Sequence, residues 1–184
     1  MSQDRVGAGD RWIPEDEYMA ITSRVPILCV DILPLRIEPN PALGLILRDT
    51  YDGGRGWCLV GGAVLRNEPL YEAVQRHVST TLGEGASIQV STLKLVDVIE
   101  YFTEPSIGEF HDPRKHAVAL TYLAEVKGPV EPIGEAIKFQ WFAIEELPEP
   151  SLFGFGQDRV IQRLLRYLRD RQPGLLLAAG GDHD

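Results

Sequence analysis

Residues 56–83 restrict the possible fold of this chain more than any other segment. Their sequence is GWCLVGGAVLRNEPLYEAVQRHVSTTLG. It starts with WCLV, a short apolar run typical of a strand, which we expect to end at Gly61 and Gly62. From Pro69 to Leu82 apolar side chains recur every fourth residue, and Gly83 follows where a helix commonly ends. The segment therefore predicts a strand, a glycine turn and a helix in direct succession.

The regions on either side supply more strands and two more helices. Apolar, β-rich runs that predict strands occupy residues 26–37, 43–49, 92–102, 116–126 and 137–142. The first two are expected to form a hairpin, and Asp31 is the one charge in the apolar part of the first. Helices are predicted from Pro14 to about Arg24 and over 157–171. This irregular alternation predicts an α/β protein with a mixed sheet between helices.

The length and the chain ends favour a single domain over residues 12–172. A chain of 184 residues that is 44% hydrophobic can bury a sizeable core. Residues 1–11 are expected to form a disordered tail and residues 173–184 a loose tail, because both ends offer few apolar side chains to order them.

The charge and the cysteine usage exclude several classes of protein. The formal net charge is −9, from 18 Lys and Arg against 27 Asp and Glu, which argues against a nucleic-acid binder. The two cysteines, Cys29 and Cys58, lie in apolar runs, so neither a disulfide framework nor a cysteine-built zinc site is expected. The start of the chain lacks a secretion signal, and no apolar run approaches the ~20 residues of a membrane helix. We therefore expect a cytoplasmic protein without membrane partners.

The central segment resembles the front of the Nudix box. In that motif a glycine is followed after five residues by a glutamate, and after seven more by an arginine and a glutamate. Gly62, Glu68 and Arg76 match this spacing without a gap. The resemblance implies a Nudix-like α/β/α sandwich with a mixed β-sheet, in which helix carboxylates hold Mg²⁺ against a diphosphate.

The second half of the box departs from the family pattern. Where the family has three glutamates, the chain reads RHVSTT over residues 76–81, with His77, Thr80 and Thr81 instead. A tightly held metal cluster is therefore not expected on this helix. In the family the retained glutamate and arginine chiefly brace the loop against the helix, so Gly62, Glu68 and Arg76 are predicted to be structural. For one weakly held Mg²⁺ the candidate ligands are Gly61, Glu68 and Glu100.

Within the superfamily the layout is most similar to the GDP-mannose mannosyl hydrolase branch. That branch also has a degraded box, a proline-containing first strand, and a histidine at the head of the strand that matches HAVALTYL. By this resemblance His116 would be the general base, the carbonyl of Gly61 would contact the metal, and the protein would be a homodimer. The implied small-molecule partner is a nucleotide or nucleotide sugar.

Four polar residues cluster where a long loop meets a strand, namely His111, Asp112, Arg114 and His116. Binding groups are often presented at such junctions. In an extended strand Arg114 and His116 would face the same side and could meet a phosphate together. The alternative is a turn at Asp112, with Arg114 paired to an acidic neighbour and His116 at the end of the strand. His111, Asp112 and Arg114 are the candidate substrate-binding residues, and His116 and Arg114 the candidate catalytic ones.

These observations favour a Nudix-like hydrolase of a nucleoside diphosphate-linked compound, such as a nucleotide sugar. Arg114 would hold the diphosphate and His116 would activate water. The alternative, which the missing glutamates support almost as well, is a catalytically inactive Nudix fold that binds or senses a nucleotide.

Overall fold

The fold is a mixed sheet with helices on both faces, seen in a computed structural model that describes residues 13–38 and 40–171. The tails predicted at 1–11 and 173–184 lie outside the described residues. The helices are α1 (Glu15–Thr22), α2 (Leu70–Leu82) and α3 (Gln157–Arg171). The strands are β1 (Ile27–Arg36), β2 (Ala42–Asp49), β3 (Arg55–Cys58), β4 (Val60–Ala63), β5 (Ser87–Ile88), β6 (Lys94–Phe102), β7 (Phe110–His111), β8 (Ala117–Lys127) and β9 (Lys138–Phe142).

The sheet is built around β1. On one side β1 pairs in parallel with β8 over nearly its whole length, and β8 continues the sheet to β6 and β7. On the other side β1 pairs with β2 only at Leu35 and Arg36, and with β4 from Cys29 to Ile32. The predicted hairpin is thus present, but β2 leaves β1 to pair with β3 and β9. The two strands diverge away from their turn, which opens the sheet between them.

The strand after the hairpin does not end at its glycines. The sequence predicts that this strand ends at Gly61 and Gly62. Instead, the chain pairs first with β2, as β3, and then with β1, as β4, and β4 continues through both glycines. A Cβ at Gly61 would lie 2.3 Å from the carbonyl oxygen of Val30 and 2.5 Å from Oδ1 of Asp31. Only glycine therefore lets β4 approach β1 this closely.

Two apolar clusters fill the space between the sheet and the helices. One joins α3, through Val160, Ile161, Leu164 and Leu168, to one face of the sheet. The other joins α2 to the opposite face, through Ala73, Val74, Val78 and Leu82. Helix periodicity accounts for both, since these residues recur on one side of each helix. The result confirms the predicted α/β/α sandwich. Within residues 13–38 and 40–171, no helix is long and apolar enough to cross a membrane.

Candidate functional site

An inner cavity of about 80 Å³ opens where β1 and β2 diverge. Its walls come from β1, β2, β4, β6, the start of β8 and the start of α3. The charged residues that line it are Asp31, Arg48, Asp112, Arg114 and Lys115. Three cations and two carboxylates thus line the cavity, and the cationic groups offer N–H donors to an anion.

Asp31 is the acidic group at the base of the inner cavity. Its position opposite Gly61 in the β1–β4 register fixes its carboxylate against backbone, and it keeps part of its surface open to the cavity. Burial raises the pKa of Asp31 to about 6, although the positive charges of Lys115 and Arg48 act in the opposite direction. A carboxyl group with a pKa near neutrality is suited to take and release protons.

Arg48 and Lys115 bring positive charge to the cavity from opposite sides. Nη1 of Arg48 pairs with Glu135 at 2.6 Å, while its Nε is buried without a hydrogen-bond partner among the described residues. The Nζ of Lys115 donates to the hydroxyl of Tyr18 at 3.3 Å, which connects α1 to the cavity. Arg48 therefore adds positive charge to the lining, and Lys115 has further N–H donors with which an anion in the cavity could be held.

Arg114 is held by its neighbour Asp112. Its Nε and Nη2 donate to the two carboxylate oxygens at 2.8 and 2.7 Å, and its backbone N–H donates to the same carboxylate at 3.0 Å. Burial alone would raise the pKa of Asp112, but the hydrogen bonds and charge of Arg114 outweigh it and lower that pKa. The pair gives the guanidinium a fixed orientation at the cavity.

Phe155 separates the inner cavity from a larger cleft next to it. Its ring lies 4.7 Å from the guanidinium carbon of Arg114 and 5.6 Å from that of Arg48, as in cation–π contacts. Its backbone φ is 57°, the left-handed region that a bulky side chain rarely adopts, between Gly154 and Gly156. This backbone conformation is energetically unfavourable, and such conformations persist only where the surrounding contacts require them.

The larger space, here called the outer cleft, has a volume of about 340 Å³. It lies between the turn at residues 50–55 and the segment 151–159, with His111 on one wall. The residues predicted to bind substrate are therefore divided: His111 lines the outer cleft, whereas Asp112 and Arg114 line the inner cavity. Phe155 lines both.

His116 does not line either space. Its ring packs against Phe102 with 4.8 Å between centroids, and its Nε2 is buried without a hydrogen-bond partner within the described residues. The expectation that it faces the same side as Arg114 is wrong, because residues 112–115 form a turn and β8 begins only at Ala117. The structure thus matches the turn alternative, in which Arg114 pairs with Asp112. The catalytic role of His116 stays a prediction.

The matched part of the Nudix box forms a closed set of contacts. The carboxylate of Glu68 accepts from Nε and Nη2 of Arg76 at 2.6 and 2.8 Å and from the backbone N–H of Leu65 at 2.8 Å. Arg76 also donates to the carbonyl of Ala63 at 2.9 Å, which ties α2 to β4. A Cβ at Gly62 would meet the ring of His77, and burial lowers the pKa of that ring to about 4. These residues hold the loop to the helix.

The predicted Mg²⁺ ligands are not brought together. Gly61 lines the inner cavity, Glu68 is engaged by Arg76, and Glu100 lies exposed on β6. Among the described residues, no three His, Cys, Asp or Glu side chains are grouped to hold a metal ion. The residues that the structure describes therefore offer no preformed cluster of protein ligands for Mg²⁺, an ion that proteins also hold through one or two carboxylates together with substrate phosphates and water.

Sequence reasoning did not assign a role to Asp31, Arg48, Lys115 or Phe155. A signal was present for two of them. Asp31 is a lone acid in an apolar strand, and Phe155 stands between two glycines in a GFG sequence, where unusual backbone geometry is expected. Arg48 and Lys115 carry no such signal, because only the tertiary fold brings them to the cavity.

Comparisons with known proteins agree with this fold. The model of a family described as a domain of unknown function, DUF4916, matches residues 8–168. A Jonesia denitrificans structure described as a possible asymmetric diadenosine tetraphosphate hydrolase is 31% identical, with a TM-score of 0.71 over 83% of this chain and 98% of that one. The Nudix domain of Shewanella oneidensis NrtR, complexed with ADP-ribose, has a TM-score of 0.54 at 16% identity, over 85% of this chain and 99% of that one.

One curated protein is similar to part of this chain. The low-salt glycan biosynthesis protein Agl8 of Haloferax volcanii is 32% identical over 110 residues. The match covers 60% of this chain and 65% of that protein, so it spans less than two thirds of the relative.

Proposed function

This chain belongs to the DUF4916 family and has the fold of Nudix hydrolases, and on that basis we propose that it hydrolyses a nucleoside diphosphate-linked compound, with the inner cavity as its site. The observation that carries the proposal is one cavity lined by three cations and by a carboxyl group whose pKa is about 6. Similarity to a protein named for glycan biosynthesis supports a nucleotide sugar as the substrate. The GDP-mannose branch, the homodimer and a weakly held Mg²⁺ stay predictions.

The cations would hold the diphosphate. Asp112 occupies Nε and Nη2 of Arg114 and fixes its guanidinium, which leaves the N–H groups of Nη1 to donate to phosphate oxygens. Arg48 and Lys115 add positive charge from the other sides, so that charge developing on the diphosphate is met by groups already in position. The volume of about 80 Å³ is well below the ~300–1,000 Å³ of small-molecule sites, so the inner cavity suits the diphosphate of a ligand but not a whole nucleotide.

Asp31 would act as the general base. Above pH about 6 its carboxylate can accept a proton from water as the water oxygen bonds to the substrate and the leaving group departs with the bonding electron pair. The geometry supports Asp31 over His116 for this role, because Asp31 lines the cavity with Arg114 whereas His116 packs on Phe102.

A binding or sensing module is the second candidate. The observation that favours it is the absence of a grouped metal-ligand set within the part of the chain that the structure describes. In that case the same cations would hold the diphosphate without turnover. Binding at micromolar concentrations together with the absence of product would support this function.

The test is a turnover assay with ADP-ribose and GDP-mannose between pH 5 and 8, with and without added Mg²⁺, in water enriched in ¹⁸O. The proposal predicts turnover that rises with pH through about 6 and falls at least about 100-fold in Asp31→Asn. The position of ¹⁸O in the products shows whether phosphorus or the sugar carbon is attacked. Turnover that Asp31→Asn leaves unchanged would contradict the role of Asp31.

A further inference from the structure

We propose that the outer cleft is a nucleoside subsite that stacks the base of the substrate while the inner cavity holds its diphosphate. The inference rests on the proposed function and adds to it a place for the rest of the ligand. An inner cavity of about 80 Å³ cannot hold a nucleotide, whereas about 340 Å³ lies within the ~300–1,000 Å³ of small-molecule sites. The two spaces meet at Phe155, which lines both.

Tyr51 supplies the aromatic surface of the outer cleft. Its ring lies 6.1 Å from that of His111, edge to face, and 5.7 Å from that of Phe155. These contacts hold the ring, yet 45% of the residue remains exposed. A held and exposed aromatic ring is what a nucleobase stacks on, whatever the base.

Two arginines give the outer cleft its charge. Arg55 pairs with Asp49 at 3.2 Å and Arg159 with Glu109 at 3.6 Å, and both pairs are substantially exposed. Exposed ion pairs contribute little to stability, so the Arg55 guanidinium can turn to a ligand at small cost, whereas that of Arg159 is also held over the ring of Phe110, 4.8 Å from its centroid. The carboxylate of Asp52, by contrast, is engaged by Thr50 and by the backbone N–H of Gly54. The cleft therefore combines an aromatic wall with guanidinium N–H donors, which can hydrogen-bond to a base or a ribose.

The chain itself connects the two spaces. Residues His111 to Arg114 pass from the outer cleft to the inner cavity within four positions. On the opposite side Phe155 faces Tyr51 with its ring and also contacts the guanidiniums of Arg48 and Arg114. A ligand with its diphosphate among those guanidiniums would reach the Tyr51 ring along Phe155.

The experiment compares two probes by isothermal titration calorimetry, inorganic pyrophosphate and ADP, which share a diphosphate and differ in the nucleoside. The variants are Tyr51→Ala, Tyr51→Phe and, as a matched control, Tyr71→Ala, because Tyr71 is an exposed tyrosine on α2 outside both spaces. Wild type is expected to bind ADP about 5- to 150-fold more tightly than pyrophosphate, the range given by one stacked base. Tyr51→Ala should lose that advantage without weakening pyrophosphate, and Tyr51→Phe and Tyr71→Ala should keep it.

The outcomes separate the subsite from the proposed function. If pyrophosphate binds and ADP binds no more tightly, or if Tyr51→Ala leaves the ADP affinity unchanged, the nucleoside subsite is wrong while the inner cavity stands. If wild type binds neither probe, the proposed function itself is contradicted. Arg159→Gln provides a second variant in the cleft, should Tyr51→Ala unfold, and it should weaken ADP but not pyrophosphate.

Discussion

Replacing Asp31 by asparagine should stabilise the protein at neutral pH while it lowers turnover at least about 100-fold. The pKa of Asp31 rises from 3.8 to about 6 on folding, and a tenfold change in an acid dissociation constant corresponds to about 1.4 kcal/mol, so ionised Asp31 costs about 3 kcal/mol of stability. Because part of Asp31 stays open to the cavity, about 2–3 kcal/mol is the expected range. For a protein of this size that corresponds to roughly 5–10 °C in melting temperature.

The sign of the effect depends on pH. Below pH about 4 the carboxyl group is protonated in the folded and the unfolded chain, so it adds no pH dependence there. Between pH about 4 and 6 the unfolded chain releases the proton first, so the wild type loses stability as pH rises. Asparagine does not ionise, so the advantage of Asp31→Asn should grow from pH 4 to pH 7 and then stay constant.

Urea denaturation followed by circular dichroism at pH 4.5 and 7.5 measures this difference. Asp52→Asn is the matched control of opposite sign, because hydrogen bonds from Thr50 and Gly54 lower the pKa of Asp52. That change should leave the protein equally or slightly less stable than wild type at pH 7.5. An advantage of Asp31→Asn that is the same at both pH values would refute the claim that its carboxylate is desolvated by folding.

Three further changes test separate parts of the account. Gly61→Ala should lower the free energy of unfolding, measured by urea denaturation, by about 1–3 kcal/mol, because its Cβ would lie 2.3 Å from the Val30 carbonyl oxygen. Gly54→Ala is the control and should lower it less than half as much, because the nearest neighbours of its Cβ lie at 3.4 Å. Equal losses of stability would show that β4 can move away from β1. Arg114→Ala should lower the free energy of unfolding by about 1–2 kcal/mol, since Asp112 is 5% exposed and loses its partner. The same change should weaken pyrophosphate binding, measured by calorimetry, at least about tenfold. Unchanged binding would show that Arg114 is not part of the site. His116→Ala should lower kcat less than about tenfold, and a loss of 100- to 10,000-fold would instead identify His116 as the general base.

The elements of the fold could be predicted from the sequence because their signals are local. Helix α3 has the predicted bounds, residues 157–171, and α2 begins one residue after Pro69, as the apolar periodicity indicates. The strand runs at 94–102 and 117–127 are also close to prediction. Each of these patterns arises because one face of a single helix or strand is buried, and that face is defined by residues close to one another in the sequence.

The site was predicted only where sequence neighbours form it. Asp112 and Arg114 are two residues apart, and their ion pair follows from a turn within the loop. Asp31 and Arg48 meet because β1 and β2 separate after a short region of pairing, and hydrophobic patterning does not indicate where two paired strands diverge. His116 does not lie beside Arg114 because residues 112–115 form a turn, in which the side chains do not alternate as they do in a strand.

A crystal structure with inorganic pyrophosphate would show whether the inner cavity binds a diphosphate. We expect electron density for the phosphates within hydrogen-bond distance of Arg48, Arg114 and Lys115, beside the carboxylate of Asp31. Density on the exposed face of α2 near Thr80, with the inner cavity holding only water, would contradict it.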